Sequence, residues 1–285
     1  MATLLEILQK SSEFLGGRGI ESPRLNAELL IGHVLGLKRM QLYLAFERVL
    51  TEPELERLRS LMRRRGKGEP VQYVLGETEF DGLKLAVDQR VLIPRPETEW
   101  LVETLATRME EMPPARVLDL GTGSGALALA LAKRFAEARV VAVDVAETAL
   151  AVARANGEKH AELGARVEWR RSDWYGAIGA EERFELIVAN PPYLTEAEWV
   201  QAKAEVRDWE PKGALTAADA GCADLEKIIA GAAARLAPGG WLAMETGIAQ
   251  HGRLLVAVAA AGLQEGESLN DLTGRPRFVV ARAGS

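Results

Sequence analysis

Apolar residues recur at three- and four-residue steps along the front of the chain: Leu4, Leu5, Ile7 and Leu8, then Leu25, Leu29 and Leu30 with Val34 beside His33. That spacing predicts amphipathic helices. Ser22-Pro23 reads as an N-cap followed by proline at the first helical position, and Thr51-Glu52-Pro53-Glu54 opens another helix with Leu55, Leu58, Leu61 and Met62 on one face. Gly16-Gly17, Gly36 and Gly66 separate these segments. A small helical bundle is expected over residues 1–75.

The period then changes. Phe80-Asp81-Gly82-Leu83 is a hairpin signal, followed by Leu83, Leu85 and Val87 in alternation and by Val91-Leu92-Ile93. A short two-stranded ribbon is expected to link two domains over residues 76–95. From Arg116 short apolar runs alternate with helical segments: strands at 117–120, 140–143, 167–170, 186–189 and 241–245, and two late strand-like runs at 265–269 and 277–281. Helices are expected at 126–135, 147–156, 225–236 and 254–261, with Gly239-Gly240 turning the third of these into its strand. Apolar strands separated by helices imply an α/β domain over 96–285, a mostly parallel Rossmann-like sheet covered on both faces.

Composition narrows the class. A 48% hydrophobic, 27% charged chain with no apolar run near the roughly 20 residues of a membrane span, and no signal-peptide layout from Met1 to Lys10, is expected to be soluble and cytoplasmic. Cys222 is the single cysteine, which excludes an internal disulfide, and the three histidines (His33, His160, His251) share no metal-ligand spacing, so no metal site is expected. A net charge of −6 gives no general attraction for nucleic acid. Arg63-Arg64-Arg65-Gly66-Lys67 is the one strong basic run, and such runs are usually solvated helix ends.

Candidate chemistry gathers at the ends of the expected strands. Asp119-Leu120-Gly121-Thr122-Gly123-Ser124-Gly125 follows the first strand and opens a helix, a layout in which glycines permit a tight turn and a close approach of backbone to ligand. With Ala126 it also matches the dinucleotide fingerprint, and that pattern alone is weak. Asp144 ends the second strand, where a carboxylate accepts ribose hydroxyls. Asp119 stands where it could meet a cationic amino-acid tail. Asp173 and Trp174 end the third strand, suited to an adenine amine and its ring face. These features favour S-adenosylmethionine over a nicotinamide cofactor. The fourth strand runs into Asn190-Pro191-Pro192-Tyr193. Two prolines stiffen the backbone and remove local donors, Asn190 adds a side-chain carbonyl, and Tyr193 adds a flat wall with a polar tip. Such a rim suits a planar group bearing an NH2.

The order Asp-x-Gly-x-Gly-x-Gly, Asp144, Asp173, Asn-Pro-Pro-Tyr resembles class I S-adenosylmethionine-dependent methyltransferases, and among them the members that modify amino groups of DNA, RNA or protein glutamine. The chain is most similar to the release-factor glutamine methyltransferase family (PrmC/HemK). Glu69 to Gly76 and Glu79 to Leu83 look like that family's linker, and Ile93-Pro94-Arg95-Pro96-Glu97-Thr98-Glu99 like its characteristic run. Trp209 to Leu215 and Asp271 to Arg275 also fit. Met244-Glu245-Thr246-Gly247 departs slightly from the family's usual Glu-Ile-Gly and keeps Glu245 and Gly247. The sister branch that acts on a ribosomal protein reads Pro-Arg-Ser-Pro where this chain has Pro-Arg-Pro-Glu-Thr-Glu.

The resemblance implies a seven-stranded class I methyltransferase domain behind a helical substrate-binding domain. It implies methylation of the side-chain amide nitrogen (N5) of the Gly-Gly-Gln glutamine in class I peptide-chain release factors, with S-adenosylhomocysteine as product. Asn190, Pro191, Pro192 and Tyr193 would bind the acceptor. Asp119, Gly121, Thr122, Gly123, Ser124, Gly125, Asp144, Asp173, Trp174 and Asn190 would hold the donor, with Arg95 and Glu97 in support. A monomer without membrane or direct nucleic-acid contacts is expected. A ribosomal-protein glutamine methyltransferase, a nucleic-acid exocyclic-amine methyltransferase acting on a flipped base, and a silent binding protein of the same fold remain alternatives.

Overall fold

The computed structural model describes residues 2–284, which fall into two units: one runs to Glu77 and takes in Lys203–Trp209, the other comprises Thr78–Ala202 and continues from Glu210. The first is helical, with helices Leu4–Gly16, Pro23–Leu35, Arg39–Tyr43, Glu52–Arg65 and Val71–Leu75 and the later turn Ala204–Trp209. Leu4, Leu8, Leu30, Ile31, Leu58 and Met62 form its core. Two details differ from the sequence reading. Ser22 has φ +48° and makes no side-chain cap; Asn26 Nδ2 instead donates to the Glu21 and Ser22 carbonyls. The helix it opens also buries a different face, leaving Leu25 exposed and placing Asn26, Ala27 and Glu28 inside. Glu28 is tolerated there because Arg24, Arg39 and the Tyr43 hydroxyl all donate to its carboxylate.

The basic run is divided between structure and solvent. Arg65 is buried, its guanidinium donating to Asn26 Oδ1, the Glu69 carbonyl and Glu205 Oε2 at 2.7, 2.9 and 2.8 Å. Arg64 reaches Glu69 and the carbonyls of Tyr73 and Val74. Arg63 and Lys67 are exposed. Half of the run is therefore a clamp for the helix end rather than a free basic patch.

In the second unit, strands β1 (Glu77–Phe80) and β2 (Leu83–Ala86) are joined through Asp81 and Gly82, at φ +47° and +71°, which is the backbone a two-residue hairpin turn requires. Phe80, Leu83 and Leu85 lie in this unit's main core, so the ribbon is built into the domain. Val91 and Ile93 are buried as expected, in irregular chain and not in a strand.

The remaining strands are β3 (Arg116–Leu120), β4 (Arg139–Asp144), β5 (Val167–Arg171), β6 (Phe184–Ala189), β7 (Leu236–Glu245), β8 (Gln264–Asn270) and β9 (Pro276–Arg282). They form one sheet in the order β5-β4-β3-β6-β7-β9-β8, parallel except for β9, which runs against both neighbours. Side chains alternate between faces with period two. Val117, Val140, Leu186 and Ala243 pack under helices Pro96–Arg108 and Ala126–Arg134. Leu118, Val141, Ile187 and Leu242 pack under helices Ala223–Ala232 and His251–Ala260. The expected seven-stranded, two-faced α/β sheet is present. Gly239-Gly240 does not turn a helix into β7; both glycines lie inside the strand, where the register against β6 shifts.

The topology fixes where chemistry gathers. From β3 the chain adds strands first on one side and later on the other, leaving a crevice at the carboxyl ends where the order reverses. Leu120 pairs with both Val143 and Ala189, so Gly121, Asp144 and Asn190 leave the sheet side by side.

Candidate active site

A cavity of about 630 Å³ opens at that crevice, in the range of small-ligand pockets. One wall is the glycine loop. Gly121 and Thr122 both donate their N–H to the Val143 carbonyl, and Gly123 donates to Asp144 Oδ2 at 2.9 Å. Gly121 has φ +75°, and a methyl there would lie 3.4 Å from the Trp174 ring; at Gly125, φ +81°, it would lie 2.9 Å from Trp169. Only glycine meets both demands.

Asp119 lies behind this wall, fully buried, with Oδ2 accepting from Thr122 Oγ1 at 2.6 Å. Its Oδ1 is buried without a partner. Burial pushes the carboxyl up to about 7, against the lowering effect of the Thr122 hydrogen bond. Asp144 anchors the loop through Gly123 and accepts from the Ala146 N–H at Oδ1 (2.9 Å); burial raises its pKa while backbone donors oppose the rise. Trp174 sits at φ +46°, its carbonyl held by the Ser172 hydroxyl (2.8 Å) and its indole N–H directed to Asp224 Oδ1 (3.3 Å). That backbone turns the indole into the cavity wall beside Asp173.

The opposite wall carries Asn190, Pro191 and Pro192. Asn190 Nδ2 donates to Thr98 Oγ1 and Glu245 Oε2, both at 3.0 Å. Glu245 is fully buried at the end of β7 and also accepts from Thr98 Oγ1 (2.6 Å), the Tyr193 hydroxyl (3.1 Å) and Arg277 (3.1 Å). Burial pushes its carboxyl upward, opposed first by the Arg277 charge and then by the Thr98 and Tyr193 hydrogen bonds.

The structure thus brings Gly121, Thr122, Gly123, Ser124, Asp144, Asp173, Trp174, Asn190, Pro191 and Pro192 to one cavity. Other expected site residues stand elsewhere. Gly125 packs on Trp169. Tyr193 does not line the cavity as a flat wall. Its ring packs on the core, with Arg277 4.9 Å from the ring centre and donating to its hydroxyl, and desolvation raises its pKa. Arg95 is paired to Glu210, whose other oxygen accepts the Ile93 N–H (3.2 Å), so it secures the Pro-rich turn. Glu97 lies 3.9 Å from Arg275. The members of that run that reach the cavity are Pro94 and Thr98. Thr98, Asp224, Glu245 and Arg277 were missed by sequence reasoning. Only Glu245 carries a signal, an acid closing an apolar run as Asp144 does in β4.

No group of His, Cys, Asp and Glu among the described residues could hold a metal ion, and no helix among them is long and apolar enough to cross a membrane.

Residues 6–76 match the model of the PrmC N-terminal domain, and residues 96–206 that of the methyltransferase small domain. The chain is 37% identical over 283 residues to the release factor glutamine methyltransferase of Rhodopirellula baltica, covering 97% of this chain and 95% of that one. It is 45% identical over 257 residues to the enzyme of the same name from Bordetella pertussis, covering 90% and 93%. A 16S rRNA N2 G1207 methyltransferase from T. Thermophilus, solved with AdoMet and guanosine, shares the fold at TM-score 0.52 and 22% identity, over 73% of this chain and 49% of that one.

Proposed function

The chain belongs to the release factor glutamine methyltransferases, and on that footing we propose that it methylates the N5 side-chain amide of the Gly-Gly-Gln glutamine in class I peptide-chain release factors, with S-adenosylmethionine as donor. The donor reading is supported by a buried Asp119 oxygen without a partner, which fits a cationic ammonium, and by a glycine cradle that a Cβ would fill. Asp119 would hold the amino-acid tail, Asp144 the ribose, and Asp173 and Trp174 the base. When bound, the donor supplies an electrophilic methyl on a sulfonium and leaves as S-adenosylhomocysteine.

An amide nitrogen is a feeble nucleophile because its lone pair is delocalised into the carbonyl. The task of the protein is to orient it and to favour the positive charge that develops there. The observation that carries this reading is the fixed Asn190 amide. With both N–H bonds of Nδ2 directed to Thr98 and Glu245, Oδ1 is left to accept an N–H from the substrate. The Pro191 carbonyl would accept the second, and neither proline offers a competing donor. Together they aim the nitrogen's remaining face at the methyl. The methylated nitrogen is acidic enough to lose its proton to water, so no strong base is required. The helical segment over residues 1–75 would dock the protein acceptor.

Labelled S-adenosylmethionine incubated separately with release factor, ribosomal protein and DNA tests this assignment. Label in the release factor alone is the expected result; label only in ribosomal protein or only in DNA would transfer the chain to one of the rival substrates.

A further inference from the structure

The Asn190 amide has almost the same shape with Oδ1 and Nδ2 exchanged, and only one of the two arrangements accepts a hydrogen bond from a substrate amide. The structure contains a device that selects between them. Glu245 Oε2 is an acceptor only, because a carboxylate carries no proton when ionised. Thr98 Oγ1 has a single proton, and at 2.6 Å that proton lies on the bond to Glu245. Both atoms next to Asn190 Nδ2 are therefore acceptors, each 3.0 Å away. A reversed amide would set Oδ1 against two acceptors in a site shielded from water, an arrangement that loses two hydrogen bonds and adds repulsion. Arg277 stands 3.1 Å from the other carboxylate oxygen and supplies the charge that a buried carboxylate needs.

We infer that Glu245 is a positioning residue for methyl transfer: with Thr98 as its relay it locks the Asn190 amide so that Oδ1 faces the acceptor, while Arg277 holds Glu245 in place. This rests on the reading of Asn190 given above and deepens it. Glu245 does not line the cavity, so its effect passes through Asn190. A buried ion pair kept only for stability would have no reason to place its second oxygen, and a hydroxyl with its proton directed away, on the amide end of Asn190.

Glu245→Gln keeps the shape and gives the neighbour of Asn190 an NH2, which permits the reversed amide. Methyl transfer to release factor should lose about 100-fold in kcat, as expected for a misplaced orienting group, while the donor Kd changes little; the melting temperature should fall, because Arg277 is left beside a neutral amide. Thr98→Val, which removes only the relay, should lower kcat by a smaller factor, about tenfold, again with donor Kd kept. It provides the test on its own if Glu245→Gln does not fold. The inference is overturned if the folded variants keep wild-type kcat, or if donor Kd weakens in step with kcat. An unaltered protein that labels no release factor contradicts the substrate assignment instead, so the two failures are separable.

Discussion

Thr122 Oγ1 donates to Asp119 Oδ2 over 2.6 Å, and the same carboxylate's Oδ1 is sealed from solvent with nothing to accept. A buried, half-satisfied acid is a cost to the ligand-free fold and an asset to a cationic ligand. With its pKa at about 7, Asp119 keeps a proton in the folded state that an unfolded aspartate releases near pH 4. Its contribution to stability is therefore fully present below about pH 4 and is lost as pH rises through about 7. Asp119→Asn should remove this slope and raise the ligand-free melting temperature at pH 8 relative to the unaltered chain. Melting curves of both proteins between pH 5 and 8 check it.

The same acid gives donor binding an opposite pH dependence. A carboxylate, not a carboxylic acid, pairs with an ammonium, so S-adenosylmethionine binding should strengthen up to about tenfold per pH unit below pH 7 and level off above about pH 8. Calorimetric Kd values across that range provide the readout. A flat profile would mean that Asp119 does not meet the charged tail.

Gly121→Ala should weaken donor binding more than stability. The added methyl would meet the Trp174 ring at an ordinary 3.4 Å contact, so the cost lies in the φ of +75°, which alanine adopts only with strain, in a loop that lines the cavity. Left-handed backbone at a non-glycine residue costs roughly 1–2 kcal/mol, and a loop that shifts to relieve it changes the wall that would face the donor. Donor Kd by calorimetry, set beside the denaturation midpoint, separates the two effects.

The architecture was legible in the chain because its causes are local. The central strands β3, β4 and β6 are apolar runs, and the glycine loop after β3, Asp144 at the end of β4, Asp173 after β5 and Asn190 after β6 all stand at strand ends, so a parallel sheet carries them to one edge. What was not legible depends on packing across long separations. Thr98, Glu245 and Arg277 meet from a helix and two strands, and no local pattern shows that Thr98 and Arg277 converge on Glu245. Tyr193 was read as a wall because aromatic rings so often serve as one, whereas its hydroxyl is drawn to the Glu245–Arg277 pair. At Leu25 the helical period holds and the buried face differs, since Arg24 and Arg39 reach from the surface to a buried Glu28.

In the helical unit, Arg65→Ala should destabilise by roughly 2–3 kcal/mol, less than the 3–5 of a fully buried pair because Glu205 keeps a third of its side chain in water. Arg63→Ala, at an exposed position of the same run, should change stability by less than about 0.5 kcal/mol. Urea unfolding followed by helical circular dichroism distinguishes them. Equal effects would return the run to a plain solvated helix end.

In the proposed reaction Asn190 acts on the acceptor amide through Oδ1. The most direct test is Asn190→Ala, with single-turnover methyl transfer to release factor and donor Kd measured on the same preparation. The transfer rate should fall by about 100- to 1,000-fold, the loss seen when one oriented hydrogen-bonding group is removed from an active site, with donor Kd changed by no more than a few-fold. A rate that stays near the wild-type value, or a Kd that weakens as much as the rate falls, would mean that Asn190 does not orient the acceptor.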